Sequence, residues 1–274
     1  MKHFWVQQRI PFLAFAVISL MILAGCYLFS ITLAKTSFAS GTILLLCILF
    51  LASYQLRKKI NFLPLGSSSA WLRFHIFIGF LSFVVFAIHS KLQIPNGLLE
   101  FILFLTYYTV FLSGVVGLFL SRTIPYRLLS RGEEVLFERI PVHRRKIHDR
   151  VKVLVFNNTE SDQGTALPDF YHKHLQSYFE GPRHQISHIL HSERHLHQLK
   201  QKISALQPFL NEQEQVTLQQ IAEQIQLKDD LDYQYIFQAI IKMWLFVHVP
   251  LTYSLIIFAF YHALAACAFA STSG

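Results

Sequence analysis

The sequence predicts an all-α integral membrane protein, a five-helix transmembrane bundle with a mostly helical cytoplasmic insertion. Three observations lead to this fold class. Of the 274 residues, 53% are hydrophobic and only 15% charged, which is more apolar than an ordinary soluble domain. Several apolar runs approach the roughly 20 residues that a helix needs to cross the hydrocarbon core. The excess of basic residues lies at the ends of those runs, where membrane topology is decided.

Five apolar runs are expected to cross the bilayer, at about residues 11–34, 41–56, 71–90, 98–120 and 239–268. The second is the shortest, and it can cross only with its flanking Ser and Ala residues or in a thinned bilayer. Within the first, Leu23-Ala24-Gly25-Cys26 also fits a lipoprotein cleavage box. An uncleaved first helix is favoured because the apolar sequence continues beyond Cys26.

The predicted organisation has three parts: residues 1–121 with the first four helices, a cytoplasmic insertion at 122–238, and residues 239–274 with the fifth helix and a short external tail. The insertion carries fifteen basic and fifteen acidic residues, so the net charge of +8 comes from the membrane part, and nucleic acid is not an expected partner. With the N-terminus in the cytoplasm, seven of the nine basic residues that flank the spans lie inside. We therefore expect a multi-pass protein of the bacterial cytoplasmic (inner) membrane, with an external C-terminus.

The insertion is less informative than the spans. Val151–Phe156 fits either a short strand or an apolar patch, and the sequence after Pro182 fits two amphipathic helices with a break near 208–211. Several histidines in the first of these helices share one face, and a pair four residues apart is able to bind zinc or to respond to pH. A solvated polar face is favoured, because no Cys or suitably spaced Asp accompanies them. These histidines are His184, His188, His191 and His195, with His197 close by.

Four histidines lie inside the predicted spans, where ionisable residues are costly and usually functional. His75 and His89 are fourteen residues apart in the third span, and His248 and His262 are fourteen apart in the fifth. Fourteen residues of helix return to within roughly 40° of the starting direction and climb about 21 Å. Because both helices run outward in the predicted topology, His75 lies level with His248, and His89 lies level with His262.

Two such pairs in apolar surroundings predict two haem b groups, each with two axial imidazoles. The absence of a Cys-x-x-Cys-His motif indicates type b and not type c. Gly79, one turn beyond His75, offers room for the edge of a macrocycle, and Arg73 and Lys242 stand where haem propionates would lie. Two axial imidazoles leave no open iron site, which favours electron transfer. The alternatives left open are a proton relay and a haem-free scaffold or transporter with structural histidines.

The His75/His89 helix, the intervening Ser113-Gly114-Val115-Val116-Gly117 and the His248/His262 helix resemble the ferric reductase-like transmembrane domain. They are also similar to small bacterial dihaem membrane cytochromes b. The resemblance covers about residues 10–121 and 239–268, and it implies that the third and fifth helices supply the haem ligands. The cytochrome b of quinol-oxidising complexes has the same histidine spacing, so the motif indicates two haems and not one particular reaction.

The sequence departs from the oxidases of that family. No sixth helix follows, and residues 122–238 contain no Gly-rich phosphate loop of the kind that a dinucleotide site needs. The expected partner on the cytoplasmic side is therefore a flavin or iron–sulfur electron-transfer protein, a quinone or a small carrier. A reductase that acts on iron, oxygen or a periplasmic carrier is the alternative function.

Overall fold

The computed structural model describes residues 36–59, 67–129, 135–156, 166–181 and 194–272, and all regular secondary structure in these segments is helical. The predicted first span and Cys26 lie outside the described residues. Short turns of other helix types occur at Phe137–Arg139 and Gln207–Phe209 (3-10) and at Tyr171–Leu175 (π). The α-helices are α1 Thr36–Lys59, α2 Ser68–His89, α3 Leu98–Leu129, α4 Ile140–Phe156, α5 Ala166–Phe170, α6 Gln176–Phe179, α7 Arg194–Leu206 and α8 Glu212–Thr272.

Four of the described helices are long and apolar enough to cross a membrane, and they coincide with the predicted second to fifth spans. Their apolar segments are Ser37–Gln55, Ser68–His89, Leu98–Leu129 and Glu212–Phe269. The all-helical architecture is thus confirmed for the described part of the chain. The second span is longer than predicted, because α1 starts at Thr36 and extends the apolar run through neighbouring Ser and Ala residues.

The chain forms two compact units, residues 1–118 with 245–274, and residues 119–244. These boundaries lie a few residues from the 121/122 and 238/239 positions expected from the sequence. In the first unit, side chains from α1, α2, α3 and α8 share one apolar core. Its fully enclosed members are Leu44, Ile48, Val85, Phe86, Tyr107 and Leu255.

The two ends of α2 are both specified by local interactions. At its start, the Ser67 hydroxyl accepts a hydrogen bond from the Ala70 amide at 3.3 Å, which caps the helix. After its last residue, His89, the chain turns through Lys91 and Leu92, whose φ angles of 52° and 55° lie in the left-handed region. His89 is therefore held at the very end of a helix, next to a tight turn.

The second unit has its own apolar core, formed by residues from α4 to the first part of α8. Val151 and Val155 are both fully buried in it, because residues four apart lie on one face of α4. The interpretation of Val151–Phe156 as a strand is therefore wrong. Nearby, the Nε2 atom of His148 lies 2.9 Å from the Tyr171 hydroxyl, and burial lowers the pKa of this imidazole.

A buried charged cluster joins α4 and α8 inside the second unit. Lys228 has no exposed side-chain surface, forms an ion pair with Asp232 and donates to the Gly181 carbonyl at 3.0 Å. Arg144 of α4 donates to the other Asp232 oxygen at 3.3 Å. Burial lowers the pKa of the Lys228 ammonium, and the Asp232 carboxylate opposes that shift by favouring the charged form.

The longest element, α8, contains 61 residues and belongs to both units. The expected break near 208–211 is confirmed: a 3-10 turn ends at Phe209, and Asn211 and Glu214 cap α8 through reciprocal side-chain-to-amide bonds. By contrast, no break separates the insertion from the fifth span. The helix continues because residues 212–249 contain neither Gly nor Pro.

Candidate functional site

The structure brings together His89 and His262, the histidines predicted to lie at the outer level. Their ring centres are 6.2 Å apart, and the ring planes are nearly perpendicular, at 86°. His89 is the last residue of α2, and His262 lies ten residues before the end of α8. Both side chains are partly buried. The two imidazole rings therefore lie close together across a narrow space between two helices.

Two hydrogen-bond contacts of the Ser40 hydroxyl bear on which ring nitrogen of His89 carries the proton. Its Nδ1 lies 3.1 Å from the Ser40 hydroxyl oxygen on α1. If that hydroxyl donates its single proton to the Ser37 carbonyl at 3.2 Å, it accepts the bond from His89. Nδ1 is then the protonated nitrogen, and the lone pair resides on Nε2. This is the tautomer that a histidine needs to bind a metal through Nε2, with Nδ1–H held by an acceptor.

Gly41, the residue after Ser40, lies directly against the His89 ring. A Cβ atom at this position would lie 3.0 Å from Cε1 of His89, closer than side chains normally approach. The absence of a side chain at residue 41 thus allows the imidazole to rest on the backbone of α1. Neither Ser40 nor Gly41 was among the expected site residues. The signal that could have identified them is the recurrence of a Ser-Gly dipeptide at residues 113–114, which the resemblance had already singled out.

The second predicted pair, His75 and His248, is expected near the cytoplasmic side of the membrane. The two histidines contact different residues. The Nδ1 atom of His248 lies 3.2 Å from the Ser113 hydroxyl on α3, and a Cβ on Gly114 would lie 3.8 Å from the His248 ring. His75 is partly buried, and its ring centre lies 5.3 Å from that of Tyr54 on α1. The direct pairing of His75 with His248 stays a prediction.

The remaining predicted site residues are Gly79, Arg73 and Lys242, and each has a different environment. No atom lies within 4 Å of a Cβ built on Gly79, so open space adjoins α2 one turn beyond His75. Arg73 is exposed and donates to the Ser69 carbonyl at 3.3 Å. Lys242, in the second unit, forms an ion pair with Glu138 and lies 4.0 Å from the centre of the Phe137 ring. Because Lys242 already has a carboxylate partner, its contact with a haem propionate stays a prediction.

The histidine cluster predicted in the insertion is only partly described. His195 and His197 lie on the exposed side of α7, whereas His184, His188 and His191 lie outside the described residues. Within the segments that the structure describes, no group of three or more His, Cys, Asp or Glu side chains is arranged to hold a metal ion.

The spacing of His89 and His262 fits two ligands on opposite sides of one metal. With metal–nitrogen bonds of about 2 Å and ring centres about 1 Å beyond each nitrogen, the two ring centres of such a pair lie about 6 Å apart. The observed 6.2 Å agrees with this value. No family model matches this chain, and neither the comparison with curated proteins nor that with solved structures finds a match.

Proposed function

We propose that this chain is a dihaem b-type membrane cytochrome that transfers electrons across the bilayer. The observation that carries the proposal is the His89–His262 pair, with its ring separation of 6.2 Å and the Nδ1 of His89 held by Ser40. These residues would bind the outer haem, and His75 and His248 would bind the inner haem. Gly79 would leave room for the edge of the inner macrocycle.

The exposed surface of the apolar helices supports a membrane location. Large apolar side chains point outward from all four of them, for example Leu46, Phe74, Leu112 and Phe246, which are 61%, 59%, 56% and 74% exposed. A soluble protein rarely exposes apolar patches of this extent, whereas lipid covers them at no cost. Together with the charge bias, this surface favours a multi-pass arrangement in the cytoplasmic membrane, with the 122–238 insertion inside.

Each residue of the proposed outer site has a definite task. His89 and His262 provide nitrogen ligands from two helices, Ser40 fixes the His89 tautomer, and the apolar core of the first unit excludes water. A haem bound there would supply a one-electron iron couple. With His89 and His262 both bound to the iron, small molecules such as oxygen would have no open iron site.

The fourteen-residue spacing would place the two haem sites about 21 Å apart along the helices, one near each leaflet. Electrons would enter or leave on the cytoplasmic side through a flavin or iron–sulfur protein or a quinone, and on the outer side through an external acceptor or donor. No observation favours iron, oxygen or a periplasmic carrier as substrate.

The test is to count haems in the purified protein and in histidine variants. The pyridine haemochrome assay should find two haems b per wild-type chain, and His89→Ala or His262→Ala should each remove about half of the haem. The exposed His197 provides the control, since His197→Ala should keep both haems. If His89 and His262 both hold the iron, the outer ferric haem should give a low-spin electron paramagnetic resonance signal that disappears in either alanine variant.

Several results would count against the proposal. A wild-type protein that is colourless after expression with ample haem would favour a scaffold or transporter with structural histidines. Full haem content in both His89→Ala and His262→Ala would show that these residues are not the ligands. If the purified protein contains a metal ion but no porphyrin, these histidines form a simple metal site and not a haem site.

A further inference from the structure

Two Ser-Gly dipeptides lie beside two of the candidate ligands. Phe38-Ala39-Ser40-Gly41 on α1 and Phe111-Leu112-Ser113-Gly114 on α3 share the pattern Phe-x-Ser-Gly. Neither helix carries a candidate ligand. In each case, nevertheless, the serine hydroxyl contacts the Nδ1 atom of a histidine on a ligand helix, His89 of α2 or His248 of α8.

The two contacts match in their details. The oxygen-to-nitrogen distances are 3.1 Å for Ser40 and 3.2 Å for Ser113. The glycine that follows each serine lies against Cε1 of the same ring, tightly for Gly41 and at ordinary contact distance for Gly114. Because His89 belongs to the outer pair and His248 to the inner pair, each predicted haem has one ligand that is held in this way.

We propose that these dipeptides, here named the Ser-Gly seats, are positioning elements for the two haems. The inference rests on the proposed function. In each seat the serine oxygen accepts the Nδ1–H bond and so directs the Nε2 lone pair away from the seat, while the glycine lets the ring lie against the backbone. An acceptor on Nδ1–H also makes the imidazole a stronger donor, which favours ferric over ferrous iron.

A serine between membrane helices is often only an interhelical hydrogen bond, so a matched control is needed. Ser82 supplies it. Its hydroxyl donates to the Gly79 carbonyl within α2 at 2.8 Å and lies 3.0 Å from the Tyr107 hydroxyl, which joins α2 to α3 in the core of the first unit. Removing this hydroxyl tests the loss of a serine contact between helices that involves no histidine.

The experiment is a redox titration of the two haems in purified full-length protein, followed through their reduced α-bands. Ser40→Ala should raise the midpoint potential of one haem, and Ser113→Ala should raise that of the other. Hydrogen bonds to a metal ligand typically change metal affinity by at least about tenfold. If the affinity for ferric iron relative to ferrous iron falls tenfold, the midpoint potential of a one-electron couple rises by about 59 mV. Ser40→Thr, which keeps the hydroxyl, should restore the wild-type potential, and Ser82→Ala should shift neither haem.

The proposal of the Ser-Gly seats is overturned if the midpoint potentials are unchanged in both Ser40→Ala and Ser113→Ala, or if they shift as much as in Ser82→Ala. In either case, a wild-type protein with two haems would still support the proposed function. A colourless wild type would overturn both. Ser40→Ala could be purified with only one haem. This loss supports the Ser-Gly seats if Ser40→Thr contains two haems. It contradicts them if Ser82→Ala loses the same amount of haem.

Discussion

The proton on one ring nitrogen decides whether His89 can act as a ligand. When the Ser40 hydroxyl donates to the Ser37 carbonyl, two consecutive hydrogen bonds place that proton on Nδ1. Such a hydroxyl is a weak acceptor compared with a carboxylate, but it carries no charge into the apolar part of the chain, where a charged side chain would be expensive. A neutral acceptor therefore fixes the tautomer at small cost.

Gly41 provides the sharpest test at this scale. Gly41→Ala should reduce haem at the outer pair, because the added Cβ would lie 3.0 Å from the His89 ring and force it to move. Gly114→Ala is the matched control, since its Cβ would lie at 3.8 Å, an ordinary contact. Haem per chain, measured by the pyridine haemochrome assay, should fall towards one in the first variant and remain two in the second.

Alanine is favoured over glycine within a helix by roughly 1 kcal/mol, so neither change should weaken its helix. Circular dichroism should accordingly show wild-type helix content in both variants. Two haems retained in Gly41→Ala would mean that the close approach of residue 41 to His89 does not matter for the site.

Among the elements, α4 and α8 are connected by a largely buried group of charges. Lys228 and Asp232 are both almost completely buried, and Arg144 adds a second cation beside the carboxylate. Removing the carboxylate would take the ion-pair partner from a buried ammonium and leave it the Gly181 carbonyl and the charge of Asp229, whereas removing the ammonium would leave Asp232 still paired with Arg144. The cluster is therefore asymmetric in its response to mutation.

Asp232→Asn should destabilise the second unit by about 3–5 kcal/mol, the usual cost of breaking a buried ion pair from one side. Lys228→Met should cost clearly less, because the methionine packs well and Asp232 keeps Arg144. Amide hydrogen exchange over α4 and residues 212–240 of the full-length protein measures both effects. Equal exchange in the two variants would contradict this explanation.

The sequence predicted which helices form better than it predicted where each helix begins and ends. Fourteen-residue histidine spacings and long apolar runs are strong periodic signals, so α2 and the end of α8 were predictable. The continuity of α8 through residues 230–245 was not predictable from composition. A change from polar to apolar residues resembles a domain boundary even where no residue interrupts the helix. Ser40 and Gly41 were missed because their importance depends on contact with His89, forty-eight residues beyond Gly41 in the chain.

For the whole molecule, the distribution of charge predicts one orientation. Basic residues concentrate at the span ends assigned to the cytoplasm, and the near-neutral insertion adds no opposing bias. The described helices have the length and composition for such an arrangement.

Reporter fusions measure that orientation. Alkaline phosphatase should be active when fused after residue 95, between α2 and α3, or after residue 274, because both positions are expected outside. Green fluorescent protein should be fluorescent when inserted within residues 157–165. Exchanging the two reporters at each position controls for expression, and the opposite pattern would place the insertion outside.

The order of the paired histidines along the chain has a consequence for biosynthesis. Both predicted pairs have partners 173 residues apart, since 262 − 89 and 248 − 75 give the same number. The ribosome therefore releases α2 and the entire second unit before the end of α8 emerges. Neither predicted haem site can be completed before the end of α8 has been made, so the newly inserted protein should be colourless until that part of α8 has emerged.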